Sequence, residues 1–174
     1  SRLTLEWEKT FFFKKMKDVV LFAFSTSSSA ATIPVTLKTA NQDLGVNQNV
    51  ASFVVPVGAT INMDGTAIMQ GLATVFIAQM SGIDLTLFQY MQVVLLAVAT
   101  SIGTAAVPSA GTITLIIILQ QFNLPLEAIG IILAVDRVLD MIRTSVNVTG
   151  DAAIACIVAK TENQLDENIF NSKS

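Results

Sequence analysis

Thr26-Ser27-Ser28-Ser29-Ala30-Ala31-Thr32-Ile33-Pro34, echoed by Thr100-Ser101-Ile102-Gly103-Thr104-Ala105-Ala106-Val107-Pro108, is the stretch on which the fold turns. Each run of small and polar residues interrupts an apolar segment, Val19 to Leu37 in the first case and Leu87 to Leu119 in the second. The two runs share Thr and Ser at the start, Ala at the sixth place and Pro at the ninth, at an offset of 74 positions from Thr26 to Thr100. Broken backbone inside an apolar segment leaves amides and carbonyls unpaired, and in a bilayer this is tolerated only against protein or a watery cavity. Both segments are therefore expected to be helical hairpins that enter a membrane and turn back.

Two further apolar stretches, Val50 to Met80 and Leu126 to Ala159, are long enough at ~1.5 Å per residue to cross a ~30 Å hydrocarbon core. The chain then reads as two copies of hairpin plus helix. One crossing per copy places the second copy on the opposite face, so the repeat is inverted, and two crossings bring the chain back. Lys14, Lys15, Lys17 and Lys38 at one end and Lys160 at the other then share one side, expected to be cytoplasmic. The expected fold is an all-α membrane protein with two re-entrant hairpins and two transmembrane helices, one of them unwound in the middle. Repeat 1 covers 11–80 and repeat 2 covers 84–162, with an interfacial amphipathic segment over 1–18 and a solvated acidic tail over 163–174. Four plain helices joined by flexible loops are the simpler alternative.

Composition agrees with a bilayer environment. The 174 residues are 52% hydrophobic and 13% charged, with a net charge of -3 and a mean hydropathy of +0.64. Lys and Arg are absent between Lys38 and Arg137, whereas Phe11, Phe12 and Phe13 beside Lys14 and Lys15 suit a membrane interface. The chain carries one cysteine, Cys156, which excludes an internal disulfide, and no histidine. No zinc spacing, P-loop or nucleophile elbow occurs, so neither enzymatic activity nor a bound cofactor is expected. Nucleic acid is not an expected partner.

Chemistry concentrates in the fourth stretch. Asp136, Asp140, Arg143, Thr144, Asn147 and Asp151 fall at i, i+4, i+7, i+8, i+11 and i+15, within a ~100° arc of one helix. An ionised side chain at the bilayer centre costs at least ~2.5 kcal/mol, so these residues need partners or a ligand and must face inward. Arg143 offers a fork matched to a carboxylate, and Asp140 and Asp151 offer acceptors for an ammonium group or a hard cation. An internal network, such as Asp140 with Arg143 one turn on, is the bland alternative. In the second stretch, Gly58-Ala59-Thr60-Ile61-Asn62-Met63-Asp64-Gly65-Thr66 is a polar island whose glycines suggest an unwound turn with free carbonyls, a site for a monovalent cation. A simple kink would also produce it. The hairpin tips add Ser28, Ser29 and half-helix N-termini that suit an anionic group.

Taken together, Ser27-Ser28-Ser29, Asn62-Met63-Asp64-Gly65-Thr66, Gly103-Thr104-Ala105-Ala106-Val107-Pro108 and Asp140-Met141-Ile142-Arg143-Thr144-Ser145-Val146-Asn147-Val148-Thr149-Gly150-Asp151 resemble the dicarboxylate/amino acid:cation symporter family, that of the glutamate transporters. The likeness is collinear from about Phe11 to Glu162. It implies the core of a transport domain that moves like an elevator against a trimeric scaffold, with the second hairpin as the extracellular gate. The scaffold half is expected to be absent from these residues, and the full-length protein to be a homotrimer in the plasma membrane with cytoplasmic termini.

The resemblance also implies residue roles. Arg143 and Thr66 would bind the substrate's side-chain carboxylate and Asp140 its amino group. Asn147, Thr144, Ser28, Ser29 and the Val107, Ala110 and Gly111 backbone would hold its main-chain groups. Sodium would be coordinated by the Gly58, Asn62 and Asn147 carbonyls with the Asp151 carboxylate; by the Thr60, Ser101, Ile102 and Thr104 carbonyls with Met63; and by Asn62 with Asp64, a site that needs ligands from an earlier helix. Ser27 and Met141 stand where relatives often place a second arginine, which leaves counter-transport open. The implied function is symport of glutamate, aspartate or another dicarboxylate with Na+ or H+. A re-entrant-loop channel and a truncated chain that folds without transporting are the alternatives.

Overall fold

The structure, a computed structural model, describes residues 11–172. Residues 1–10 of the expected interfacial segment lie outside that range. Among the described residues the regular elements are helices: a turn over 11–15, then α1 (Lys17–Thr26), α2 (Ser29–Gln42), α3 (Gln48–Ile61), α4 (Asp64–Met80), α5 (Leu87–Ile102), α6 (Ala110–Gln121), a 3-10 turn (Leu126–Ala128), α7 (Ile129–Thr161) and α8 (Glu167–Phe170). The all-helical class follows. One isolated antiparallel bridge joins Val46 to Leu165.

The breaks are tighter than the composition suggested, and unequal. In the first hairpin only Ser27 and Ser28 leave the helix. Ser27 takes a left-handed φ of 52° and its N–H closes on the Ala23 carbonyl, ending α1; Ser28 is extended and its side chain accepts from the Ala31 amide, starting α2. That N-cap satisfies a donor the new helix would otherwise leave open. Pro34, expected to belong to the break, lies inside α2, where it removes a single helical bond, that to the Ala30 carbonyl. The second tip is the longer one, from Gly103, the last residue capping α5, to Ser109, whose φ of 62° precedes α6.

The second apolar stretch breaks at Asn62 and Met63, between α3 and α4. Gly58 and Gly65, taken as the cause of unwinding, are both helical, and their role is close approach. A Cβ on Gly58 would lie 2.6 Å from Asp151 Oδ1, and one on Gly65 would collide with the Arg143 carbonyl oxygen. Both glycines let the broken helix press against α7.

The 33-residue α7 is the spine of the molecule and packs against α1, α2, α3 and α4. Its C-terminal half presents Val148, Ala152, Ala155 and Ala159 to an apolar cluster with Val19, Ala23, Ala40 and Val55. Its N-terminal end joins a second cluster in which Ile132 meets Met69, Ile77, Leu115 and Leu119. Between the two clusters lies the polar band from Asp136 to Asp151.

No helix among the described residues is both long and apolar enough to cross a membrane. The second stretch is divided at Asn62 and Met63, and α7 carries Asp136, Arg137, Asp140, Arg143 and Asp151 along its middle. The tail, expected to be solvated from 163, is largely exposed but tied down. Asn47 N–H donates to Gln164 O at 3.0 Å and Asp166 N–H to Gly45 O at 2.8 Å, while Leu165 and Phe170 pack against the first apolar cluster.

Candidate functional site

All six polar residues on one arc of α7 are buried, none more than 4% exposed. Asp140 and Arg143, one turn apart, form an ion pair: Arg143 Nη2 and Nε donate to Asp140 Oδ1 at 2.6 Å and 3.1 Å. Asp136 lies 3.9 Å from the same guanidinium and accepts from the Thr112 hydroxyl of α6. Arg143 Nη1 is buried with no partner among the described residues. It faces α6, where a Cβ on Gly111 would come within 2.7 Å of it. Half of the guanidinium fork is therefore spent internally and half is open to an acceptor.

The two tips meet above this pair. Ser28 Oγ donates to Ala106 O at 2.9 Å, and Ala30 N–H points at the same carbonyl at 3.4 Å. The Ala106 carbonyl thus sits where the start of α2 would favour an anionic oxygen. On the other side, Ser109 N–H donates to Asp140 Oδ2 at 2.7 Å. The groups between them, including Ser29, Met63, Thr66, Val107, Gly111, Thr144 and Asn147, enclose a cavity of only about 10 Å³, room for about one water. Ser27 also lines it, with its Oγ buried and unpartnered.

Asn147 fastens the broken helix to α7. Its Oδ1 accepts from Gly65 N–H at 2.8 Å, and its Nδ2 points at Thr66 Oγ1 and at Met63 Sδ, each 3.3 Å away. Asn62 Nδ2 in turn donates to Asp151 Oδ1 at 3.0 Å and reaches the Asn147 carbonyl at 3.4 Å. Gly58, Asn62, Asn147 and Asp151 are therefore together, with a carboxylate and a main-chain carbonyl converging on one amide. A carboxylate and carbonyl oxygens are the donor types a hard cation takes.

The other implied cation sets are less complete. Met63 and Thr104 share the central cavity, but Thr60 and Ile102 are exposed, and the Ser101 carbonyl already accepts from Thr104 N–H at 3.0 Å. Asp64 is exposed at the first turn of α4. Ala110, buried at the start of α6, lies beside the central cavity without lining it.

Sequence reasoning gave no role to Asp136, Thr112, Ser109 or Gln70. Asp136 was on the polar arc and could have been included. Gln70 had a signal too: Thr66, Gln70 and Thr74 recur every four residues, a polar stripe on an otherwise apolar helix.

Fold and site together define a helical protein whose paired broken segments close over a buried Arg–Asp cluster. The chain belongs to the sodium:dicarboxylate symporter family, whose profile matches residues 4–161. It is 50% identical over 136 residues to an excitatory amino acid transporter of Caenorhabditis elegans, covering 78% of this chain and 27% of the relative. Identity is 48% over 145 residues with excitatory amino acid transporter 3 of Mus musculus, covering 83% and 28%. It is 48% over 147 residues with excitatory amino acid transporter 2 of Homo sapiens, covering 84% and 26%. The chain thus spans about a quarter of the length of the curated relatives it matches.

Proposed function

We propose that this chain is the substrate- and ion-binding core of a secondary transporter that couples movement of an acidic amino acid, glutamate or aspartate, to sodium. The observation that carries this is Arg143 Nη1, a buried donor left without an acceptor and facing the cavity between two broken segments. A guanidinium half engaged by Asp140 has one edge free for a substrate carboxylate. Asp140 Oδ2 becomes available to a substrate ammonium once Ser109 withdraws. Membership of a sodium:dicarboxylate symporter family and the names of the relatives support the same substrate class.

A cavity of about 10 Å³ cannot hold an amino acid, so binding requires a tip to move. The second tip, seven irregular residues against two in the first, is the segment we assign to that motion. Gly58, Asn62, Asn147 and Asp151 would hold one coupling ion. Met63, Thr104, Thr60, Ser101 and Ile102 would complete a second only after the tip has rearranged, which would link ion and substrate binding. In the membrane the two hairpins would be re-entrant and the assembly would move as an elevator within a homotrimeric, plasma-membrane protein.

Calorimetric titration of aspartate, glutamate and a neutral amino acid into the folded protein, with and without sodium, tests the binding function. Heat for the acidic ligands only when sodium is present is expected; none at any sodium concentration would count against it. In proteoliposomes holding a full-length protein with this segment, accumulation against the substrate's own gradient distinguishes a symporter from a channel.

A further inference from the structure

The second hairpin is held by a polar ring centred on Gln70, a residue that the ion and substrate roles leave unused. Gln70 of α4 is fully buried. Its Nε2 donates to Gly111 O at 3.1 Å and to Thr114 Oγ1 at 2.6 Å, both on α6. Its Oε1 accepts from Thr100 Oγ1, on α5, at 2.9 Å. One amide therefore grips both arms of the hairpin, using both of its donors and its carbonyl oxygen.

The ring closes through threonines. Thr104 Oγ1 donates to Thr100 O at 2.9 Å and lies 3.0 Å from Thr114 Oγ1, a contact in which either hydroxyl can donate. The Gln70 amide, the Thr114 and Thr104 hydroxyls and the Thr100 carbonyl and hydroxyl thus form one connected network. Such a chain polarises its members and strengthens each bond. It reaches the first residues of the irregular segment through Thr104 and lies directly behind Gly111, whose α-carbon faces Arg143 Nη1.

From this ring we infer that Gln70 is a positioning residue that confines opening of the second hairpin to residues 105–110. The arms below stay fixed, and Gly111 keeps its distance from the guanidinium while the tip moves. This rests on the proposed function insofar as the tip opens to admit a ligand, but the position of the hinge can be measured without any ligand.

The experiment is amide hydrogen exchange on the folded chain in lipid nanodiscs without substrate, comparing wild type with Gln70→Met and with Thr114→Val. Met keeps the length and removes the amide; Val keeps the shape of Thr and removes the hydroxyl. In the wild type, fast exchange is expected to stop at about residue 110. In either variant it should spread through 111–116 by about tenfold or more, the consequence of losing a buried hydrogen bond, with residues 148–159 of α7 unchanged. A boundary that stays at 110 in both folded variants, or exchange that rises equally throughout α7, would overturn the assignment. As a second measurement, aspartate affinity in sodium should fall about tenfold in Gln70→Met through faster dissociation and be restored by Gln70→His, whose ring can still donate to α6. If the wild type binds no aspartate, the transport reading fails while the exchange boundary remains decisive for Gln70.

Discussion

Arg143 and Asp140 sit one turn apart on the same helix, so their ion pair ties no two elements together. Within α7 its effect is to orient the guanidinium, leaving Nη1 aimed at α6. Removing Arg143 strands a buried carboxylate, which costs about 3–5 kcal/mol, so Arg143→Lys is the informative control because it keeps a charge and loses the fork. Aspartate binding by Arg143→Lys is expected to weaken at least about tenfold in a sodium-containing titration, and Arg143→Ala in the full-length protein to shift uptake toward neutral amino acids. Unaltered acidic preference in both would remove Arg143 from the site. Gly111→Ala provides a purely steric counterpart. Its Cβ would lie 2.7 Å from Arg143 Nη1 and 2.9 Å from Thr66 Cγ2, so the free edge of the guanidinium is blocked with no change of charge. The same titration should show loss of aspartate affinity with an unchanged unfolding temperature of the apo protein to within a few degrees.

At the level of elements, the chain's two ends are joined by a lysine. Lys15 is buried, and its Nζ donates to the carbonyls of Asp43, Ile169 and Phe170 at 2.9, 2.7 and 2.9 Å. Three donors meet three acceptors, so the turn before α1, the loop after α2 and the end of α8 share one ammonium. Lys15→Met is expected to free residues 163–172, seen as rapid proteolysis of the tail while α7 stays intact. Burial lowers the Lys15 pKa, opposed by the nearby Asp43 charge. The unfolded lysine binds its proton more tightly, so the fold's burden from this group is present at neutral pH and is relieved as pH climbs toward about 10.4. The difference in Tm between wild type and Lys15→Met should therefore move in favour of the wild type from pH 7 to pH 10; a shift the other way would mean that burial does not govern this group. This tether shows where sequence patterns run out. The polar arc on α7 was legible because six polar residues at helical spacing have one geometric solution. The broken segments were visible as composition, but their edges were not, since whether Pro34 ends a helix or rides within it depends on the Ser28 cap. Docking of an acidic tail by a lysine some 150 positions earlier leaves no periodic trace.

On the scale of the whole molecule, polarity is arranged opposite to that of a water-soluble domain. The interior holds Thr32, Thr36, Gln70, Thr74, Asp136, Asp140, Arg143, Asn147 and Asp151, all at most 4% exposed. The exterior shows Phe53, Leu72, Leu87, Leu95, Ile113 and Ile157, each at least 64% exposed. At roughly 25 cal/mol per Å² such side chains favour an apolar surrounding strongly, and a monomer in water rarely carries so many together. No single described helix is apolar enough to cross a bilayer by itself; under the proposed transport function, lipid would be met by the assembled surface, with hairpins and α7 shielding one another's polar faces. Three results follow from one cause. The chain should remain with the membrane fraction through an alkaline carbonate wash. Asp140→Ala with Arg143→Ala, which removes charge from the interior without touching the exterior, should leave that retention unchanged. Leu95→Arg with Ile113→Arg, which charges the exterior of the second hairpin alone, should lower it. Release of the unaltered chain by carbonate as a folded monomer would mean that the exposed apolar side chains face another protein surface rather than lipid.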